Sequence, residues 1–156
     1  DNEIQAAPSE FCIGVAGYPE KHFEAPNFNT DLKYLKAKID AGADYIVTQL
    51  FYDNEKFFKF RDACLAAGIK VPIIPGLKPI SQAKQVTVLP KIFNIDIPEA
   101  LSDALLKAKS ENEAKEIGIQ WGIAQSKELI KNGVPCLHFY TMGKSEAVRR
   151  IVKEVY

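Results

Sequence analysis

The sequence predicts an α/β fold: the C-terminal half of a (β/α)8 TIM-type barrel, with four parallel strands each followed by helix and an extra helix before the last strand. Three observations predict it. Helical patterns end three times in a glycine that an apolar, strand-like run follows at once, strands and helices alternate, and polar residues gather where the strands end. A complete barrel takes about 250 residues, so four units in 156 residues make roughly half of one.

The first predicted strand covers 12–17 and has no helix before it. Each of the other three follows a glycine, and they run over 45–49 after Gly42, 71–75 after Gly68 and 136–140 after Gly133. Glycine just past a helix adopts the left-handed conformation that ends it, and unbroken apolar runs are typical of strands buried on both faces. Right-handed crossovers between such strands predict one parallel sheet.

The helices between the strands are predicted from apolar stripes at helical spacing: 30–41, 54–67, 81–93, one after 97–98, 111–132 and 145–155. Asp53 or Asn54 is expected to cap the second helix and Ser81 the third. The long gap between Gly68 and Gly133 indicates a helical insertion before the last strand.

The domain organisation follows from these elements. Residues 1–10 are predicted to be a disordered or extended lead-in, and 11–156 a single half-barrel domain. The sequence opens without Met shortly before its first strand, as expected if an upstream portion is missing from it. A half-barrel leaves strand edges and an apolar inner face unpaired, so we expect self-association into a homo-oligomer, a rearranged sheet or poor solubility.

Composition restricts the class of ligand. Twenty Lys and Arg balance 20 Asp and Glu, which provides no basic surplus for nucleic acid or a membrane surface, so a small molecule is expected. There is no signal-peptide pattern and no apolar stretch of about 18 residues, which predicts a cytoplasmic protein. Cys12, Cys64 and Cys136 lack metal-ligand spacing, so no metal is expected and the three are predicted to be small buried hydrophobes in a reducing compartment.

A doubly wound sheet is the competing architecture. Its first strand would typically lead into a glycine-rich phosphate turn. Here Gly14 to Gly17 lead into Tyr18 and Pro19, without the dinucleotide fingerprint.

Barrel enzymes place their chemistry just past the strands, and several polar residues stand there. Gln49 has an amide that suits a heterocycle, or it is merely solvated at the rim. His22 could meet an anionic ligand or titrate near neutrality, or it is an exposed loop residue. Asp31 and Lys38 are seven apart and about 10 Å along a helix, so they either contact separated parts of an extended ligand or are solvated on an outer face.

Three other candidates have simpler interpretations. His138 alternates with apolar neighbours inside a strand, which favours a structural histidine. Glu20 is a possible acid by residue type alone, because no second carboxylate lies at a usable spacing. The segment 85–89 has the pattern of ordinary helix surface.

The motifs VAGYPEKH at 15–22, DLKYLKAKIDAGAD at 31–44, TQLFYD at 48–53, IPG at 74–76 and HFYT at 138–141 together resemble the methylenetetrahydrofolate reductase family. The likeness runs in order from about Phe11 to the C-terminus. It implies the last four strands of a (β/α)8 barrel that binds FAD and reduces 5,10-methylenetetrahydrofolate to 5-methyltetrahydrofolate, with NADH or NADPH as hydride donor.

The resemblance also implies roles for individual residues. Ala16, Tyr18 and His22 would line the flavin-nucleotide site, and Asp31 and Lys38 would meet its ribose and phosphate portion. Three residues would lie on the substrate side. Gln49 would contact the pterin and the nicotinamide in turn, Gln85 would approach the reduced folate more loosely, and Lys144 would complete the group.

Two departures from the family pattern matter. Lys144 stands where many members have Arg, which keeps the charge and loses the bidentate fork. The general-acid glutamate and a flavin-tuning aspartate of the family belong to strands upstream, so no catalytic residue is expected here and the isolated chain should be inactive. Two alternatives stay open: a scaffold or interaction fragment without a ligand, and another barrel enzyme that binds a phosphorylated substrate near 142–145.

Overall fold

The computed structural model describes residues 11–156, so the predicted lead-in at 1–10 lies outside the described residues. Strands and helices follow in the predicted order. They are β1 (Gly14–Gly17), α1 (Phe28–Asp40), β2 (Tyr45–Thr48), α2 (Asn54–Ala66), β3 (Ile73–Ile74), β4 (Gly76–Leu77), α3 (Gln85–Phe93), α4 (Glu99–Lys107), α5 (Glu111–Lys131), β5 (His138–Phe139) and α6 (Glu146–Val155).

All strand pairs are parallel, as predicted. One sheet has the order β1-β2-β3, and β4 pairs with β5. The register aligns Gly17 with Thr48, and Gly76 with His138. Parallel pairing brings the carboxyl ends of neighbouring strands to one edge, which is where the candidate residues were predicted to lie.

The third predicted strand, 71–75, differs in the structure. It begins at Ile73, stops at Pro75 and resumes as β4, so that β3 pairs with β2 while β4 pairs with β5. Pro75 has no N–H to donate to a ladder, but its carbonyl accepts the N–H of His138 at 3.0 Å. The proline therefore marks the point at which the strand exchanges one neighbour for the other.

The glycines that follow α1, α2 and α5 end these helices as predicted. Gly42, Gly68 and Gly133 have φ values of 106°, 79° and 81°, in the left-handed region that glycine enters without a Cβ penalty. Each is followed within a few residues by the next strand or its lead-in. The recurrence of a helix, a left-handed glycine and a strand confirms the structural repeat predicted from the sequence.

The helix N-termini match less evenly. Asp53 caps α2 as expected, accepting the N–H of Glu55 at 2.9 Å. Helix α1 begins two residues earlier than predicted, because Asn27 accepts the N–H of Thr30 at 2.9 Å. Asparagine is a favoured N-cap, which accounts for the earlier start.

The prediction that Ser81 caps the third helix is wrong. Helix α3 begins only at Gln85, and its cap residue, Lys84, makes no side-chain cap hydrogen bond. Instead the Gln85 Oε1 accepts the N–H groups of Ser81 at 2.7 Å and of Gln82 at 3.1 Å. The helix residue therefore holds the preceding loop.

Three clusters of buried side chains lie between the helices and the strands. Of the cysteines, Cys64 is buried as predicted, and burial raises the pKa of its thiol to about 12. Cys12 and Cys136 are exposed, so the prediction is wrong for these two. His138, interpreted from its apolar neighbours as a structural histidine, is exposed, and its ring lies 4.6 Å from that of Tyr140.

None of the helices within residues 11–156 has the length and apolar character needed to cross a membrane.

Candidate functional site

The segments that follow β1, β2, β4 and β5 begin at one edge of the strands. The N–H of Gln49 donates to the Gly17 carbonyl at 2.8 Å, and the N–H of Tyr140 donates to the Leu77 carbonyl at 2.8 Å. These bonds extend the pairing just past the strand ends. The polar residues predicted to carry function therefore start from neighbouring positions.

The first group of these residues surrounds a depression that we call the α1 crevice. It is lined by Ala16, Gly17, Tyr18, Phe28, Asp31, Leu32, Leu35, Lys38 and Phe60. Four of the five residues predicted to contact the flavin nucleotide are among them. Its volume is about 10 Å³, so a nucleotide would have to lie across it and not inside it.

Asp31 and Lys38 both reach from α1 towards the end of β1. The Asp31 Oδ2 accepts the N–H of His22 at 2.9 Å, and the Lys38 Nζ donates to the Ala16 carbonyl at 3.4 Å. Asp31 is half-buried and Lys38 is exposed, so both side chains contact the β1 segment at the surface of the protein. The carboxylate lies in the first turn of α1 and the ammonium in the last, where each is favoured by the helix dipole.

Tyr18 and His22 pack against each other beside the crevice. Their ring centroids are 4.6 Å apart and the rings are nearly perpendicular. Burial, with a smaller contribution from the negative charge of Asp31, raises the pKa of the Tyr18 phenol. The tyrosine therefore keeps its proton at neutral pH and is available as a hydrogen-bond donor. The fifth predicted residue, His22, thus joins the other four through Tyr18 and Asp31.

The loop that carries these two rings is braced by Lys21. Its φ of 78° is unusual for a residue with a side chain. Its Nζ donates to the carbonyls of His22 at 3.0 Å, Phe23 at 3.4 Å and Ala25 at 2.6 Å. These bonds hold the chain in the strained conformation.

Glu20 belongs to a charged cluster, the Glu20–Lys56–Asp96 cluster, that the sequence did not reveal. Its side chain is 8 % exposed, its Oε2 accepts Lys56 Nζ at 2.5 Å and the N–H of Asp96 at 2.9 Å, and Lys56 also pairs with the Asp96 carboxylate. Within residues 11–156, the buried Oε1 has no partner. The partners lie 36 and 76 residues away, which is why spacing along the chain could not find them.

The ionisation of this cluster is uneven. Burial raises the pKa of Glu20 despite the hydrogen bond from Lys56, whereas the hydrogen bond from Lys56 lowers the pKa of the more exposed Asp96. Burial works against the charge of Lys56, but hydrogen bonds to Asp96 and Glu20 outweigh it and raise its pKa. The ammonium gains more from the cluster because it faces two carboxylates, whereas Glu20 faces one ammonium.

Gln49 lies half-buried at the end of β2, where its Oε1 accepts the N–H of Leu50 at 3.0 Å. The buried residue before it, Thr48, connects three strands. Its Oγ1 accepts the N–H of Gly76 at 2.9 Å, and its carbonyl accepts the hydroxyl of Tyr140 at 2.9 Å. The end of β2 is thereby connected to the start of β4 and to the residue after β5, directly beside Gln49.

A larger cavity, the strand-end cleft, opens between the loops after β4 and β5 and the start of α5. It measures about 490 Å³ and is lined by Lys78, Pro79, Ser81, Gln82, Glu111, Asn112, Lys115, Tyr140, Thr141, Lys144, Ser145, Glu146, Ala147 and Val148. Lys115 pairs with Glu146. Burial, then the charge of Lys144, lowers the pKa of Lys78, so these two ammonium groups are close enough to repel each other.

The predicted substrate-side residues occupy different places relative to this cleft. Lys144 lines it, whereas Gln85 is not among the lining residues and engages the loop at 81–82 through its Oε1. Tyr140, which also lines the cleft, has a phenol whose pKa is raised by burial and then by the charge of Tyr18.

Strands that run parallel and gather polar residues at their carboxyl ends define a protein of the α/β-barrel class with its site at that end. The sequence profile described as Methylenetetrahydrofolate reductase matches residues 3–156, and the chain belongs to this family. The family predicted from the motifs is therefore confirmed.

Three relatives illustrate the match. The chain is 40 % identical over 147 residues to methylenetetrahydrofolate reductase 1 of Schizosaccharomyces pombe, covering 94 % of this chain and 24 % of that protein. It is 41 % identical over 141 residues to 5,10-methylenetetrahydrofolate reductase of Salmonella typhimurium, covering 88 % and 47 %. It is 43 % identical over 142 residues to methylenetetrahydrofolate reductase (NADH) 1 of Arabidopsis thaliana, covering 85 % and 24 %. The chain spans about a quarter to a half of these relatives.

A solved structure supports the fold. An uncharacterized protein from Clostridium thermocellum, which binds two copies of 5-methyl-5,6,7,8-tetrahydrofolic acid, superposes with a TM-score of 0.59. The match covers 92 % of this chain and 52 % of that one at 20 % identity. The predicted α/β half-barrel fold is confirmed.

Proposed function

We propose that this chain forms the C-terminal half of the barrel of a flavin-dependent oxidoreductase that reduces 5,10-methylenetetrahydrofolate to 5-methyltetrahydrofolate with NADH or NADPH. The observation that carries the proposal is that Ala16, Tyr18, Asp31 and Lys38 meet in one crevice beside the strand ends, in a chain of this family. Residues 22 positions apart in sequence meet there, and every one was predicted for the same ligand.

The side chains at the α1 crevice fit FAD. Lys38 supplies a positive charge for a phosphate, and Asp31 keeps a second carboxylate oxygen for a ribose hydroxyl while its first holds His22. Tyr18 offers a protonated phenol, and the ring of His22 stands against it. FAD, when bound, supplies the hydride chemistry, and the chain's part is to bind and orient it.

The reduced folate and the nicotinamide are assigned to the region of Gln49 and the strand-end cleft. The Gln49 amide can donate to and accept from the edge of a heterocycle. Lys78 and Lys144 together provide positive charge for the carboxylates at the other end of a folate. Lys144 thus keeps a substrate-side role through its charge, without the bidentate hydrogen bonding of an arginine. Gln85 acts near the folate by holding the loop at 81–82.

We assign no proton donor for the reaction to this chain. Glu20 has the raised pKa of a possible acid, but its Oε2 is engaged by Lys56 and the backbone of Asp96. The proposed general acid belongs to the part of the reductase outside this sequence. The isolated chain should therefore bind ligands without turnover, and its cytoplasmic location, self-association and lack of nucleic-acid binding stay predictions.

A barrel enzyme for a phosphorylated substrate is the second candidate, favoured by the two neighbouring ammonium groups of Lys78 and Lys144. It predicts saturable binding of inorganic phosphate in the strand-end cleft. The reductase proposal predicts that 5-methyltetrahydrofolate competes for this region and that phosphate at equal concentration does not displace it. Titration calorimetry with both ligands separates the two.

The flavin assignment is tested by titrating FAD into the chain and following flavin fluorescence. Asp31→Ala and Lys38→Ala should each weaken binding about tenfold, which corresponds to about 1.4 kcal/mol. Lys33→Ala, an exposed lysine on the same helix, is the matched control and should leave the affinity unchanged. Wild-type affinity in both crevice variants would overturn the assignment.

A further inference from the structure

A short turn joins β1 to the residues beside the α1 crevice. The N–H of Lys21 donates to the Tyr18 carbonyl at 3.1 Å, which makes a β-turn with Pro19 and Glu20 at its centre. Proline at the first central position has a φ that its ring fixes. Because the turn is short and partly fixed, a displacement of Glu20 also displaces its neighbours Tyr18 and His22.

The Glu20 side chain attaches this turn to two distant segments. It is 8 % exposed, and its Oε2 accepts the Nζ of Lys56 on α2 at 2.5 Å and the N–H of Asp96, ahead of α4, at 2.9 Å. The Lys56 ammonium also pairs with the Asp96 carboxylate. The two carboxylates thus share one ammonium group.

The shared ammonium makes the charge of Glu20 tolerable at this position. Burial disfavours the ionised carboxylate, and the negative charge of Asp96 raises its pKa further. The Lys56 ammonium and the Asp96 N–H act in the opposite sense. Removing one partner of a buried ion pair leaves the other charge uncompensated, which is strongly unfavourable. Without Lys56, we therefore expect an ionised Glu20 to turn away from Asp96 and towards water.

The chain that follows the turn is held separately. The Asp31 Oδ2 on α1 accepts the N–H of His22 at 2.9 Å, and the Lys21 Nζ donates to three carbonyls of the same loop. The segment from His22 onward is thus attached to α1, whereas the turn before it is attached to α2 through Glu20. The rings of Tyr18 and His22 depend on both attachments for their position.

We propose that Lys56 is a positioning residue for the flavin site: by holding the Glu20 carboxylate on α2, it keeps Tyr18 and His22 beside the α1 crevice. Lys56 is not among the residues that line the crevice, so it acts through Glu20 and not on the ligand. This role rests on the proposed function, in which Tyr18 and His22 are assigned to FAD. The positioning itself is a property of the chain without its ligand and can be measured there.

The chain has two histidines, which allow the loop to be observed without a flavin. The His22 ring lies 4.6 Å from the Tyr18 ring, so its NMR resonances depend on the position of both, and His138 on β5 serves as the internal reference. Spectra are recorded at about pH 8, where histidine is neutral and glutamate ionised. Lys56→Met should shift the ring resonances of His22 and leave those of His138 in place. An unshifted His22, or equal shifts in both histidines, would overturn the proposal.

A double-variant cycle tests whether Lys56 acts through Glu20. Lys56→Met should raise the dissociation constant for FAD about tenfold, measured by flavin fluorescence, which is a coupling of the size found between contacting residues. In a Glu20→Gln background, the same substitution should raise it less than about twofold, because no buried carboxylate is left without a counter-charge. Equal effects in the two backgrounds would contradict a role through Glu20.

Lys59→Met is the matched control, because Lys59 is an exposed lysine on the same helix. It should change neither the His22 resonances nor the affinity for FAD. If Asp31→Ala and Lys38→Ala bind FAD as the wild type does, the flavin assignment fails, and the His22 resonances still decide whether Lys56 positions the loop. If those two variants weaken FAD binding and Lys56→Met does not, the positioning role is overturned and the flavin site stands.

Discussion

Glu20 is a carboxylate that water barely reaches, and its burial has a consequence for stability. Burial raises the pKa of Glu20 in the folded state. At a pH just above the ordinary glutamate pKa of about 4.3, the native protein therefore binds more protons than the unfolded chain. The unfolding free energy should therefore fall as pH rises through this window. Asp96, with its lowered pKa, acts in the opposite sense, but below about pH 4.

Glu20→Gln should remove the Glu20 contribution. Relative to the wild type, this variant should gain stability between pH 4 and pH 7, because the wild type alone loses the proton. Urea unfolding across this range measures the difference. Parallel stability curves for the two proteins would contradict the assignment of a buried, proton-retaining carboxylate.

Lys21 illustrates how a side chain can sustain a strained backbone. Lys21→Met removes three hydrogen bonds to carbonyls and keeps the unfavourable φ, so we expect a loss of about 1–3 kcal/mol of unfolding free energy. Lys21→Gly loses the same bonds but accepts the positive φ. It should therefore be more stable than Lys21→Met by about 1 kcal/mol in chemical denaturation. The reverse order would show that the conformation is not strained.

At the level of elements, Gly76 allows β4 to lie against β2 and β5. A Cβ at this position would lie 2.1 Å from the Thr48 carbonyl oxygen and 2.6 Å from the Tyr140 ring. Gly76→Ala should therefore lower the unfolding free energy by at least about 2 kcal/mol, measured by thermal or urea unfolding.

Gly122→Ala is the matched comparison for Gly76→Ala. Its Cβ would meet the end of the Ile151 side chain, at 2.6 Å, which can move aside. Gly122→Ala should therefore lower the unfolding free energy by less than Gly76→Ala does. Equal losses would mean that the backbone of Thr48 yields as easily as a side chain.

The elements also show what sequence patterns can and cannot reveal. Glycines after helices were predictable because the left-handed conformation is a local property of one residue. The break at Pro75 was not, since an apolar run carries no information about which neighbour a strand pairs with. The contacts of Asp31 with His22 and of Lys38 with Ala16 were left open by their spacing, because helical periodicity relates the two residues to each other and not to the sheet.

The candidate site was predictable to a similar degree. The crevice residues lie close together in sequence and share recognisable motifs, so they were found. The Glu20–Lys56–Asp96 cluster and the hydrogen bond from Asn54 to the Gln125 carbonyl depend on contacts between distant segments. Only the folded chain brings these segments together.

For the molecule as a whole, the edge at β1 is the surface at which we expect self-association. Within residues 11–156, β1 pairs with β2 alone, and just before it Phe11 and Ile13 are 77 % and 49 % exposed. Unpaired strand edges next to apolar side chains favour pairing with another chain. We therefore expect concentration-dependent association in sedimentation velocity experiments.

Ile13→Lys should reduce this association, because a charge beside the edge opposes pairing. Leu65→Lys replaces an exposed apolar residue on α2, away from the edge, and should leave it unchanged. If both variants associate as the wild type does, the β1 edge is not the surface involved.

The hydrogen bonds of Thr48 have a mechanical consequence. This one residue connects the end of β2 with the start of β4 and with Tyr140 after β5, through its hydroxyl and its carbonyl. Gln49 follows Thr48 and Thr141 follows Tyr140 in the sequence. A force that displaces Gln49 is therefore transmitted to the turn that carries Lys144. The two ends of a long ligand would contact segments that the same Thr48 hydrogen bonds hold together. The binding free energies of the two ends should therefore be coupled and not simply additive.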